Sequence, residues 1–134
     1  MPLSGLEGLV TKPYNPRGEK CDCCGDGVLE CKAPFSVNYT TPTSEESLKT
    51  LKYLVQRKAA SGEEIITLNN RHQYYTQCQM QIYVTKRLHC DIFTWTPHGY
   101  FLERIYPDDD HIDNVIENIT FYFESYLGPS LLKQ

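Results

Sequence analysis

The stretch from Asp108 to Tyr126 limits most narrowly how this chain can fold. Ile112, Val115, Ile116, Ile119, Phe123 and Tyr126 recur at the 3.6-residue period of an α-helix. Asp108, Asp109 and Asp110 put negative charge where a helix N-terminus favours it, and Gly128-Pro129 reads as the stop. A helix with one apolar stripe must bury it against another layer. Two further helices are predicted. Ser44-Glu45-Glu46 is a helix start, and Leu48, Leu51, Leu54 and Val55 give that helix an apolar stripe ending before Ser61-Gly62. The second runs from about Arg71 to Thr85. It has Tyr75, Cys78 and Ile82 on one face and Gln77, Met80 and Val84 on another, the pattern of a helix packed on both sides.

Extended segments alternate with these helices. Leu9-Val10 and Val28–Lys32 read as short strands, the latter stopped by Pro34, which has no N–H to donate. Cys90–Thr96 and Tyr100–Tyr106 are β-branched and aromatic, and Pro97-His98-Gly99 between them signals a hairpin. The expectation is one α/β domain over residues 1–134, a small mixed β-sheet flanked by helices.

Composition narrows the function classes. A chain of 134 residues can bury a core without staples. No apolar run is long enough to cross a bilayer, and MPLSGLEGLV lacks the basic start and apolar stretch of a secretory leader. An intracellular protein with no membrane partner is expected, nuclear if its host is eukaryotic. Thirteen basic against seventeen acidic residues give a net charge of −4, so any nucleic-acid contact must rest on a local basic patch and a metal. Cys21, Cys23, Cys24 and Cys31 crowd together, without the two-pair spacing of a zinc ribbon. Structural zinc on Cys21, Cys23 and Cys24 is therefore the lesser expectation, and buried or free thiols the greater.

The chemistry-bearing residues lie on the strand Val28-Leu29-Glu30-Cys31-Lys32. Side chains alternate along a strand, so Glu30 and Lys32 share a face and Cys31 takes the other, toward a core. A carboxylate there can hold Mg²⁺, while a neighbouring lysine orients a water or stabilises charge on a phosphate. Glu7 is the second oxygen donor to expect, because a hard divalent ion needs several oxygens. Taken alone, Glu-x-Lys is most often a surface ion pair. The four histidines are scattered, and loop or helix-start roles explain them.

The segment VLECKAPFS, followed by YYTQCQMQIYVTKRLHCDIFTWTP, resembles the YqaJ-type viral recombinases and lambda-exonuclease-like proteins. Their Glu-x-Lys strand runs into a Pro turn, and a Tyr-x-x-Gln-x-Gln helix leads into Val-Thr and an aromatic strand. The resemblance implies a PD-(D/E)xK nuclease core hydrolysing DNA with Mg²⁺ or Mn²⁺, as an exonuclease on duplex ends in recombination or mobile-element and viral processing. It also implies self-association. In that reading Glu7, Glu30 and the Cys31 backbone carbonyl hold the metal, Lys32 positions the attacking water, and Gln77 touches the site from the helix. Gln79 lies about 200° further round the helix, so only one of the two glutamines can face the metal. Gly5-Leu6-Glu7-Gly8 stands where the family has Ser-Pro-Asp-Gly, and the family's N-terminal helices are not represented, as in a truncated version. Lys49, Lys52, Lys86 and Arg87 are the candidates for phosphate contacts. The alternative is a non-catalytic DNA-binding or oligomerisation remnant of such a nuclease.

Overall fold

The computed structural model describes the backbone of residues 9–11 and all of residues 25–133. In chain order these form β1 (Leu9–Thr11), β2 (Gly27–Lys32), a 3₁₀ turn (Phe35–Val37), α1 (Glu45–Leu51), β3 (Leu54–Lys58) and β4 (Glu64–Leu68). There follow α2 (Gln73–Thr85), β5 (His89–Thr96), β6 (Gly99–Ile105), α3 (Asp109–Tyr122), a π-helical turn (Phe123–Leu127) and α4 (Gly128–Leu132). The architecture is mixed α/β, as expected. One sheet has the order β1-β2-β5-β6, and β3 and β4 form a separate hairpin. The larger sheet is itself mixed. β2 lies parallel to β5, with Glu30 beside Ile92 and Lys32 beside Thr94, while β1 and β6 run antiparallel to their neighbours.

Alternation along the strands sorts their side chains. Val28 and Glu30 of β2, Cys90, Ile92 and Thr94 of β5, and Phe101 and Ile105 of β6 are buried. Cys78 and Ile82 of α2 join them in the core, with Tyr75 partly buried against it. The parallel pair leaves no room for error where β2 meets β5. A Cβ on Gly27 would come within 2.1 Å of the His89 ring, so only glycine fits there.

Three expectations need correction. The first helix is seven residues long and ends at Leu51, where Lys52 adopts a left-handed conformation (φ 64°). Tyr53 and Leu54, adjacent and both buried, then turn into the core. A surface helix cannot bury two neighbouring residues deeply, so the apolar spacing of Leu54 and Val55 belongs to a strand. That strand pairs with β4, an element not foreseen, around a turn in which Gly62 takes φ 85°. Glu103 of β6 docks this hairpin on the sheet edge. Its carboxylate accepts from the Leu68 backbone N–H at 2.9 Å and from the Thr67 hydroxyl at 2.6 Å.

The second correction concerns α2, which packs by its Tyr75, Cys78 and Ile82 face as expected, but not by Gln77, Met80 and Val84 as a second apolar face. Val84 is 71% exposed. The contact of α2 with the start of α3 is polar: Tyr75 donates to Asp108 at 2.7 Å, and Thr76 bonds His111 at 2.9 Å. Third, Gly128-Pro129 does not stop the last helix. A π-turn precedes it, and the wider turn accommodates a proline that has no N–H and would clash in a regular helix. Acidic residues stand at the start of α3 as expected, and Asp108 in addition caps it, accepting from the His111 backbone N–H.

Because Lys52 carries a side chain at positive φ, Lys52→Gly should stabilise the fold by about 0.5–1 kcal/mol. Urea unfolding should show a higher midpoint with unchanged slope.

Candidate functional site

Glu30 is completely buried, although it is a carboxylate on a central strand. The lone-motif expectation of a surface ion pair therefore does not hold. Burying a charge without partners is prohibitive, and the surroundings of Glu30 meet that demand from two directions. Lys32, two residues along the same face of β2, brings its ammonium to 2.9 Å from Glu30 Oε1. Gln81 of α2 donates its Nε2–H to Glu30 Oε2 at 2.6 Å. Oε1 has no aligned hydrogen-bond donor among the described residues. The Lys32 ammonium is close enough for strong attraction, so the charge on Oε1 is compensated.

Lys32 is held as closely as its partner. It donates to Gln77 Oε1 at 3.2 Å and sits 3.9 Å from the centre of the Tyr74 ring, with its side chain 12% exposed. Tyr74, Gln77 and Gln81 recur at three and four residues along α2, so one stripe of that helix faces the Glu30–Lys32 pair. The stripe is positioned at its start by His72, the N-cap of α2, whose Nδ1 accepts from the Tyr74 backbone N–H at 3.1 Å. Burial, and secondarily the Lys32 charge, push the His72 pKa below its ordinary value. Tyr53 packs against both His72 and Tyr74, and its hydroxyl shares a hydrogen bond with Thr94 of β5. Burial pushes that phenol up to about 12, so it stays a neutral hydrogen-bonding group.

The structure thus brings Glu30, Lys32 and Gln77 together, and Gln79 is directed elsewhere. Gln79 is buried on the opposite side of α2, where it donates to the Tyr106 carbonyl and accepts from the Asp108 N–H. Gln81 was missed by the sequence reading, yet its signal was present. It stands four residues after Gln77 on the same helical stripe.

Other candidates are placed differently. Glu7, Cys21, Cys23 and Cys24 lie outside the described residues. Cys31 is on the face opposite Glu30 as expected, but it is exposed there and does not enter a core. Its thiol is raised by partial burial and then by the Glu30 charge. Cys78 and Cys90 are free, buried thiols. Lys49 pairs with Glu45 on the exposed face of α1, and Lys52 has left that helix for its C-cap. Lys86 occupies the C-cap of α2, and Arg87 is paired with Asp26 ahead of β2. The four proposed phosphate contacts therefore belong to two separate helix ends, and Arg87 is engaged in holding the α2–β5 connection.

Among the described residues no group of three or more His, Cys, Asp or Glu side chains is arranged to hold a metal ion. No described helix is long and apolar enough to cross a membrane. Comparison with known proteins finds no matching family model, no matching curated protein and no matching solved structure.

Two outcomes follow from this geometry. Lys32→Met should destabilise the fold by about 3 kcal/mol, because Glu30 loses its compensating charge, and adding Glu30→Gln should recover most of that loss in denaturant titrations. The second concerns pH. Folding lowers the His72 pKa, so its contribution is complete above the ordinary value of 6.5 and is lost as pH falls through the folded value. His72→Asn keeps an N-cap acceptor but cannot titrate. Stability measured from neutral pH downward should lose that acid-side decline.

Proposed function

We propose that this chain is the core of a metal-dependent DNA nuclease of the PD-(D/E)xK type, acting with Mg²⁺ or Mn²⁺ on phosphodiesters at duplex ends. The observation that carries this reading is the buried Glu30 carboxylate, held beside Lys32 on one strand face and closed over by the glutamines of α2. A purely structural ion pair is often no better than apolar packing, so a buried one suits a site where charge is used.

The donor chemistry fits a hard cation in part. Glu30 Oε1 is an oxygen with no aligned hydrogen bond among the described residues. The described β1 pairing reaches only Gly27–Leu29, leaving the Glu30–Lys32 end of β2 with a described strand partner on one edge. The Cys31 carbonyl belongs to that end. β1 runs antiparallel to β2 with Leu9 opposite Leu29, the residue before Glu30.

In this reading Glu30, Glu7 and the Cys31 carbonyl would hold the ion, which would supply Lewis-acid charge to the scissile phosphate. Lys32 positions the attacking water and stabilises developing negative charge. Gln77 and the Tyr74 ring fix the direction of the Lys32 ammonium, and Gln81 fixes the Glu30 carboxylate plane. The second reading is a remnant that keeps the fold and DNA contact without cleavage. The enclosure of Lys32, 12% exposed between Glu30, Gln77 and Tyr74, favours it, because a lysine so held is poorly placed to meet a phosphate.

Linear duplex DNA incubated with the chain separates the two. Hydrolysis should require Mg²⁺ or Mn²⁺, stop on chelation, and fall at least about a hundredfold in Glu30→Gln and Lys32→Ala. Retained DNA binding with no metal-dependent cleavage would select the remnant. Unchanged cleavage in either variant would remove Glu30 and Lys32 from the chemistry.

A further inference from the structure

Two apolar surfaces are left without a covering layer among the described residues. The first is the outer face of the four-stranded sheet. Alternation turns Leu29, Phe93, Trp95, Tyr100 and Leu102 to this side, and Trp95, Tyr100 and Leu102 are 50%, 63% and 55% exposed. Sheets containing parallel strands are normally covered on both faces, whereas α2 covers only the inner one here. The second is the helical arm of residues 119–132, formed by the end of α3, the π-turn and α4. Ile119, Phe123, Tyr126, Leu131 and Leu132 are each more than half exposed. The arm's sustained contacts are with its own neighbouring turns.

We propose that this chain self-associates by exchanging arms, the helical arm of each copy lying across the outer sheet face of the other. The area supports it. Its exposed aromatic and aliphatic side chains together offer on the order of 1,000 Å², when aromatic side chains bury 150–250 Å² each. A monomer rarely exposes a contiguous patch above a few hundred Å², and a standard interface takes about 800 Å² from each partner. The dimensions agree as well. An arm of about 14 residues is about 21 Å long, close to the span of roughly 25 Å for strands of β5 and β6 length.

Charge points the same way. Between Ile119 and Leu132 the only charged side chain is Glu124. On the sheet face Asp91 and Arg104 neutralise each other through two hydrogen bonds. Depletion of net charge is a mark of interface cores. The arm cannot reach its own sheet face without breaking the helix. α3 is anchored to α2, on the covered side of the sheet, by Tyr75–Asp108 and Thr76–His111. A second copy meets both needs at once, because a two-fold axis makes the arm-on-sheet contact twice.

Trp95 is the sole tryptophan and lies on the face to be covered, so its emission reports the contact directly. The full chain would be followed by sedimentation and by Trp95 emission over a wide dilution series. A dimer whose Trp95 emission shifts to the red on dilution is expected. Two arm variants, Phe123→Glu and Tyr126→Glu, and one sheet variant, Leu102→Glu, should each weaken association at least about tenfold. All three residues are exposed in the single copy, and unchanged far-ultraviolet dichroism would check that folding is intact. An arm variant mixed with the sheet variant retains one undamaged arm-on-sheet pair, so mixing should restore a heterodimer and part of the blue shift. A monomer at every concentration would overturn the proposal. So would association without a Trp95 response, which indicates arm-on-arm contact, or failure of the mixed variants to combine.

Discussion

A fully buried carboxylate has to be answered by its neighbours, and in this fold Glu30 sets the terms for β2, α2 and the ring cluster beside them. Removing an ion from water costs several kcal/mol even after relaxation. Lys32 supplies the opposite charge, Gln81 supplies a hydrogen bond, and both are themselves fixed by contacts with or within α2. The register of α2 on the sheet follows. Rotated by one residue, the helix would present Cys78 and Ile82 to the charged pair and Gln79 and Tyr83 to the apolar core.

The same helix serves two unlike neighbours through residues only two positions apart. Gln77 faces Lys32, whereas Gln79 bridges the Tyr106 carbonyl and the Asp108 N–H on the other side. Asp108 in turn caps α3 and accepts from Tyr75 of α2, bonds that hold its carboxyl below the usual range, the Tyr75 bond contributing most. One helix therefore links the polar pair in the core to the start of the arm. A side chain that loosened α2 would be felt at both places, through different hydrogen bonds.

Within this frame the aromatic residues divide by role. Tyr53, His72 and Tyr74 form a packed group beside Lys32, with ring centres 4.6 to 5.7 Å apart. Trp95, Tyr100, Phe123 and Tyr126 are turned outward. The first group gives a low-dielectric wall to an ammonium and strengthens its attraction to Glu30. The second has apolar area and no charge to screen, the composition of a surface that is covered in use.

Much of this was legible in the residues themselves. Alternation alone put Glu30 and Lys32 on one face of β2, and the 3.6-residue period put Gln77 and Gln79 on different sides of α2. Local rules also located the β5–β6 hairpin and the helix starts at Ser44 and Asp108, because turn and helix-terminus chemistry act over a few neighbouring residues. The burial of Glu30 was beyond such rules, since a Glu-x-Lys pair has the same local signature on a surface as in a core. So was the end of α1. Leu48, Leu51, Leu54 and Val55 fit a helical stripe, and only the descent of Tyr53 and Leu54 into the core, with Lys52 turning left-handed to allow it, selects a strand. The exposed second half of the last helix belongs to the same class. The sequence by itself determined the helix and its apolar stripe; which part of that stripe meets another layer depends on where α2 and the sheet end in space. Periodicity fixes directions along one element, whereas burial is a property of the surfaces that distant elements bring together.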